Sequence, residues 1–493
     1  MSSAPSFTAP RRMSQLFGID IKGSTVNDQS DSVIQAGPFS TVSRTYGSAA
    51  GSQPQWLAVK AASTYRSSAK EPHDIIKELR LLRSLSHQNI IEVLHHERSS
   101  HTLVFKMPYI SFSLVDLLAS PLCAPNPSPF SSMALLEPDA PAIKKHQTAF
   151  IILTKSIIFQ LIIALAYLNS KKIAHRDIKP SNVLITPEGC VKLIDFGISY
   201  RKGEREHECQ DDLWPESKDK LYFEVSTGPY RAPELLFGAR SYDLHAVDLW
   251  SLGASIVEFF TPLQLFEEDE DDPSFAFPSS NSQPSATNVS DESDESEEPE
   301  PIQPFLLPRA TMVLSPRCRW TRHSLFDASR GEIGLAWSIF KIRGTPTEES
   351  WPGFKHLPDA QRVTFIETPR VQLRRFLPNL PPPPQEEVVD VEIEDYDDEY
   401  EESDSETDVD DDGGDTPLNL IESLLAYPPS ARLTASEALS HLWFTVSPPI
   451  LFPLGYSAPT SGILTSKDWE GNRLSHFLRK ALGPAANSAP SCG

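Results

Sequence analysis

The stretch from His175 to Gly197, HRDIKPSNVLITPEGCVKLIDFG, limits what this chain can fold into more than any other part of it. Two short apolar runs, Val183-Leu184-Ile185 and Val191-Lys192-Leu193-Ile194, flank Thr186-Pro187-Glu188-Gly189-Cys190, a segment carrying both Pro and Gly. That spacing predicts a small β-hairpin. Such a hairpin brings Asn182, just before its first strand, and Asp195, just after its second, to one end of one sheet. Two oxygen donors on a rigid edge suit Mg²⁺, which takes one or two protein oxygens and completes its shell with water and phosphate. Asp177 then lies on the adjoining loop, beside the metal and free to receive a proton.

The HRDxKPxN run followed by DFG resembles the catalytic core of the eukaryotic protein kinases. The resemblance implies an α+β, bilobal fold: a small β-rich N-lobe with one key helix and a larger, mainly α C-lobe, with Mg-ATP between them. It also implies roles. Asp177 orients the substrate hydroxyl and accepts its proton, Lys179 neutralises the γ-phosphate, and Asn182 and Asp195 hold Mg²⁺.

Charge is unevenly spread along the 493 residues, so the formal net of −23 misleads. Glu267–Glu300 carries 13 acidic residues and Glu386–Asp415 carries 18, and neither tract has a Lys or Arg. Setting those 31 aside leaves 36 acidic against 44 basic residues, a net of +8. The tracts lack the apolar content to fold and repel themselves, which predicts disordered, solvating insertions. Five scattered cysteines without a CxxC pair point to a reducing compartment and away from structural zinc. No apolar signal segment opens the chain. The longest apolar run, Phe150–Leu168, is broken by Thr154, Lys155, Ser156 and Gln160 and reads as a buried helix. Neither a membrane nor nucleic acid is expected as a partner; nucleus and cytoplasm both fit.

In chain order, residues 1–14 read as a disordered N-terminus, 15–108 as N-lobe and hinge, 109–444 as C-lobe and 445–493 as a tail with one helix near Asn472–Leu482. Insertions are expected at about 119–147, 264–323 and 381–415, the first as a solvated loop ahead of a helix beginning near Phe150. Alternating apolar residues in VIQAGPFSTV and in Trp56–Lys60 predict strands. By resemblance, Gly37, Val42 and Ala58 border the nucleotide and Lys60 contacts its phosphates. Gln35 and Ser40 stand where the family has glycines, so the phosphate cover is expected to be weaker without the loss of any catalytic side chain. Helical spacing of apolar residues after Pro72 predicts a helix, and the resemblance implies that its Glu78 is the partner of Lys60; alone it would be an ordinary solvated charge. Phe105 is the bulky residue behind the adenine, and backbone groups around Lys106 and Met107 are expected to hydrogen-bond the base.

Further resemblances narrow the branch. Thr227 resembles the Thr that bonds Asp177 and Lys179 in Ser/Thr kinases, Glu234 of Ala-Pro-Glu is expected to pair with Arg432, and Asp248 to brace the catalytic loop. The run SLFDASRGEIGLAWSIFKIRGTPTEESWPGF resembles cyclin-dependent kinases. Tyr222 stands at their activating Thr, and of the three arginines that grip its phosphate only Arg176 survives, with Lys77 and Tyr200 in the other places. A phosphate of about two charges needs such a cluster, so independence from phosphorylation there is expected. With the degraded glycine loop, this is similar to the single-subunit fungal kinases that activate cyclin-dependent kinases, which would be its protein substrates in cell-cycle control. The alternatives are a cyclin-requiring Ser/Thr-Pro kinase acting in transcription and a pseudokinase scaffold.

Overall fold

A computed structural model describes residues 32–37, 40–49, 53–217, 219–267, 301–307, 318–381, 414–458 and 462–483. The first 31 residues, both acidic tracts except their ends, and residues 484–493 lie outside it, and so do the expectations placed on them.

Strands β1 (Ser32–Ala36), β2 (Ser40–Gly47), β3 (Gln55–Ser63), β4 (His95–Arg98) and β5 (Thr102–Pro108) form one sheet in the order β1-β2-β3-β5-β4. All its pairings are antiparallel, so β1–β2, β2–β3 and β4–β5 can each be joined by a short connection, whereas β3 and β4 are not neighbours. Against it lies α1 (Ile75–Arg83), which starts where the Asp74 carboxylate accepts from the N–H groups of Ile76 and Lys77 at 2.9 and 3.0 Å. That cap satisfies two donors the helix cannot pair itself. Ile75, Leu79 and Leu82, spaced as a helical stripe, are buried, and so are Lys77 and Glu78. A helix with charges on its buried side is built for something other than packing.

Below the sheet, α2 (Leu114–Leu118) follows β6 (Phe112–Ser113), and α3 (Pro141–Ser170) runs through the centre of the larger lobe. By length and composition α3 could cross a bilayer; here most of it is enclosed by protein. Beyond it come β7 (Ile173–Ala174), the predicted hairpin as β8 (Val183–Ile185) and β9 (Val191–Leu193), and β10 (Tyr200–Arg201) paired with β7. Then follow α4 (Pro233–Leu236), α5 (Leu244–Ile256), α6 (Gly331–Arg343), α7 (Pro417–Leu424), α8 (Ala435–Leu439) and α9 (Leu474–Leu482). One hydrophobic core is continuous from Leu79 and Phe105 through Phe159 and Trp250 to Leu478.

Two regions differ from the sequence reading. The stretch 119–147 is solvated only in part: 134–139 are exposed, but Cys123 and Ala124 are buried, and α3 begins at Pro141, nine residues before Phe150. The cause is distant in sequence. Buried Arg322 donates to the carbonyls of Leu118, Cys123, Phe259 and Thr261, tying the segment to the end of α5. Likewise the flanks of the first acidic tract are not loose, since β11 (Leu263–Glu267), β12 (Phe305–Leu306) and β13 (Cys318–Arg322) make a small sheet. In the tail, α9 buries Leu474, Phe477 and Leu478 within the core.

Candidate active site

Lys60 projects from β3 and its ammonium lies 2.8 Å from the Glu78 carboxylate of α1 and 2.9 Å from Asp195 Oδ1. Three elements far apart in sequence are thereby fixed to one nitrogen. Burial works to raise the Asp195 carboxyl, but the charge and hydrogen bond of Lys60 override it and hold the group below the usual carboxylate range. Burial pushes Glu78 up to about 7 against the pull of Lys60. Asp195 sits at φ +66°, a conformation that an L-residue adopts at a cost, directly before the Phe196-Gly197 pair. Gly197 in turn accepts the Asp74 N–H at 2.9 Å, which joins this turn to the start of α1.

Asp177 is held from several directions. Its Oδ1 accepts from Thr227 Oγ1 at 2.7 Å, and its Oδ2 meets Asn182 Nδ2 and Lys179 Nζ, each at 2.9 Å. Lys179 Nζ also donates to Thr227 Oγ1 at 2.7 Å, closing a triangle of carboxylate, ammonium and hydroxyl. Underneath, the two oxygens of buried Asp248 on α5 accept the backbone N–H groups of His175 and Arg176, both at 2.7 Å. This bracing holds Arg176 at φ +65° and so aims Asp177. Further away, Arg432 and Glu234 make a buried, two-pronged ion pair at 2.7 and 2.8 Å, which anchors the far end of the 198–234 segment.

These residues open onto a cleft of about 760 Å³ lined by Gly37, Lys60, Glu78, Asp177, Lys179, Asp195 and Thr227 among others. The donors fit a hard divalent cation with phosphate. Asn182 makes both its bonds to Asp177 through the amide nitrogen, which leaves its oxygen for a metal, and Asp195 keeps one oxygen clear of Lys60. Oxygen donors of this type, few in number, match Mg²⁺.

On the adenine side, Val42, Ala58, Phe105, Lys106 and Met107 lie on β2, β3 and β5 of the sheet. Phe105 is fully buried in the core, and the Lys106 carbonyl already accepts the Leu94 N–H at 2.8 Å. β5 stays paired with β3 as far as Pro108, which has no N–H to offer a base. Over the phosphate side, the Gly37 N–H donates to the Ser40 carbonyl at 2.9 Å, with Gln35 on β1 and Ser40 at the start of β2. His73, which sequence reasoning passed over, also lines the cleft.

Comparison with known proteins agrees with this geometry. The family described as Protein kinase domain matches residues 29–444. The chain belongs to the protein kinase family. Among similar sequences, Serine/threonine-protein kinase srb10 of Schizosaccharomyces pombe is 27% identical over 371 residues, covering 75% of this chain and 71% of the relative. The Probable cyclin-dependent kinase 8 of Dictyostelium discoideum is 26% identical over 389 residues, covering 78% and 72%. For Serine/threonine-protein kinase SSN3 of Mycosarcoma maydis the figures are 26% over 377 residues, 76% of this chain and 37% of the relative. A solved structure, the yeast RNA Pol II CTD kinase CTDK-1 complex, shares the fold with a TM-score of 0.51 at 21% identity, over 88% of this chain and 99% of that one. This kinase is therefore a serine/threonine protein kinase of the cyclin-dependent-kinase-like kind.

Proposed function

We propose that this kinase requires a cyclin and phosphorylates Ser/Thr-Pro sites in proteins of the transcription machinery, an activity that would place it in the nucleus. The observation that carries the reading is the extent of its match, over three quarters of the chain, to relatives named srb10 and cyclin-dependent kinase 8. The sequence favoured a single-subunit activator of cyclin-dependent kinases with a cell-cycle role, and none of the relatives above bears such a name.

Backbone geometry supports the preference for proline. Ser226 precedes Thr227 at φ +66°, and its hydroxyl donates to the Arg176 carbonyl at 2.8 Å, which holds it there. A left-handed residue turns the neighbouring peptide over relative to an extended strand. In this reading the turned peptide leaves the groove beside Asp177 without a carbonyl to receive the N–H of the residue after the target hydroxyl. Proline, having no N–H, loses nothing at that position.

Mg-ATP, when bound, supplies the phosphoryl group and an ion that spreads its charge. In this reading Asp177 takes the proton of the substrate hydroxyl, while Thr227 and Asn182 fix the direction of its carboxylate. Lys179 neutralises the transferring phosphate, Lys60 positions the phosphates behind it, and Asn182 and Asp195 hold the metal. Catalysis of this kind is positioning and charge neutralisation more than covalent chemistry. Purified kinase is tested with Mg-ATP, with and without a cyclin subunit, on a peptide of Ser-Pro repeats, its Pro→Ala variant, and an unphosphorylated cyclin-dependent kinase. Cyclin-stimulated transfer to the Pro peptide alone supports the proposal. Cyclin-free transfer to the kinase substrate would restore the activator reading, and no transfer to any substrate would leave a scaffold.

A further inference from the structure

Arg176, the residue before Asp177, has a completely enclosed side chain. Both of its terminal nitrogens reach one carboxylate, Glu216, at 2.7 and 2.5 Å. Glu216 lies in the middle of the activation segment, in the loop sequence WPESKD, yet its side chain is only 3% exposed. It also accepts the Tyr222 N–H at 3.0 Å and lies 3.4 Å from the ammonium of Lys77 on α1. Tyr242 completes the enclosure, its hydroxyl accepting from Arg176 at 3.2 Å and donating to the Tyr222 carbonyl at 2.6 Å.

Three parts of the catalytic apparatus thus meet on a single side chain. Arg176 adjoins Asp177, Lys77 adjoins Glu78, and Tyr222 lies five residues before Thr227. Burial resists ionisation of Glu216, and the charge and hydrogen bonds of Arg176 more than offset this, so its carboxyl is held below the ordinary range. One carboxylate between one Arg and one Lys is a closed set. A group of about two negative charges would need a third cation, and the place where one is expected holds Tyr200. The Tyr222 hydroxyl points elsewhere, donating to the Glu71 carboxylate, so a phosphate there would meet an acid.

The same segment secures α1 one turn further on. Arg80 pairs with both Glu204 and Asp212, its Nε and Nη2 reaching the two Asp212 oxygens at 3.1 and 2.6 Å. Trp214 donates its backbone N–H to the Asp74 cap at 3.1 Å and its indole N–H to the His73 carbonyl at 3.2 Å. α1, and with it Glu78 of the Lys60–Glu78–Asp195 contact, is therefore held to the activation segment by unmodified residues.

We propose that Glu216 is a positioning residue standing in the place of an activating phosphate: through Arg176 and Lys77 it aligns Asp177 and α1 for phosphoryl transfer without modification of the activation segment. The proposal rests on the protein being a kinase and not on the choice of substrate. The full chain, with a cyclin subunit in every arm if transfer requires one, is treated with a broad-specificity phosphatase and checked by mass spectrometry. Its kcat and KM are then measured beside Glu216→Gln, Glu216→Asp and Lys77→Met. Unchanged wild-type kcat after dephosphorylation is expected. Glu216→Gln should lower kcat by about 10- to 100-fold, the range typical of coupling between distant sites, with KM for ATP little moved. Glu216→Asp should recover part of the loss, and Lys77→Met should lower kcat while hydrogen exchange in 204–230 stays slow. Wild-type activity that disappears on dephosphorylation overturns the proposal even if Glu216→Gln does not fold, and so does a Glu216→Gln protein with wild-type kcat. Absence of transfer both before and after phosphatase would instead remove the kinase activity on which the proposal stands.

Discussion

Replacing Thr227 by alanine takes away one hydroxyl and leaves two charged groups short of a partner. Its Oγ1 donates to Asp177 Oδ1 and accepts from Lys179 Nζ, both at 2.7 Å. A hydrogen bond to a charged group contributes about 1.5–3 kcal/mol, so loss of both sets an upper bound of about 3–6 kcal/mol. The bound is not reached, because Asp177 keeps Asn182 Nδ2 and Lys179 Nζ at 2.9 Å on its other oxygen. A loss nearer one bond than two, about 1.5–3 kcal/mol in the transition state, lowers kcat by about 10- to 150-fold. Steady-state kinetics on a Ser-Pro peptide should show the fall in kcat with little change in KM for ATP, and Thr227→Ser, which keeps the hydroxyl, should stay near wild type. Wild-type kcat in Thr227→Ala would refute the role given to the triangle. A Thr227→Ser enzyme as slow as the alanine variant would trace the effect to the lost methyl instead.

Asp177→Asn preserves shape but cannot take a proton, so turnover should fall by about 10²- to 10⁴-fold with an unchanged melting temperature; activity equal to wild type would exclude Asp177 as the base. Arg432→Met strands the Glu234 carboxylate in a buried site, and a buried pair broken from one side destabilises by about 3–5 kcal/mol; an unmoved urea midpoint would contradict this. Glu258 is pushed up to about 8 by burial, although it accepts the Tyr230 hydroxyl at 2.7 Å. Because the folded protein holds a proton that the unfolded chain releases near its ordinary value, the stabilisation is complete below about pH 4.5 and is lost as pH rises through 8. Relative to Glu258→Gln, wild type should lose up to about 5 kcal/mol between those limits, and parallel stability curves at pH 5, 7 and 9 would rule the assignment out.

The polar set around the cleft was legible from sequence for a local reason. Asp177, Lys179 and Asn182 are separated by a few residues whose backbone path is narrow, and the hairpin that follows fixes where Asp195 returns. Lys60–Glu78 and Glu234–Arg432 were nameable because each partner sits in its own recognisable element, even though the second pair is 198 positions apart. How β5 spends its hydrogen bonds was not legible, because they depend on its neighbours, and nothing in the run from Leu103 to Pro108 tells how far β3 and β4 remain paired with it.

By itself, then, the order of amino acids determined the hairpin, the catalytic loop and the identity of the side chains that converge on Lys60. It could not determine what packs against a segment without periodicity. The start of Pro- and Ser-rich 119–140 reads as solvated until Arg322 reaches the Leu118 and Cys123 carbonyls. Glu216 likewise reads as one more loop acid until the fold buries it between Arg176 and Lys77. Local pattern encodes periodicity and turn chemistry, whereas the burial of a lone charge is decided only when distant elements close around it and exclude water.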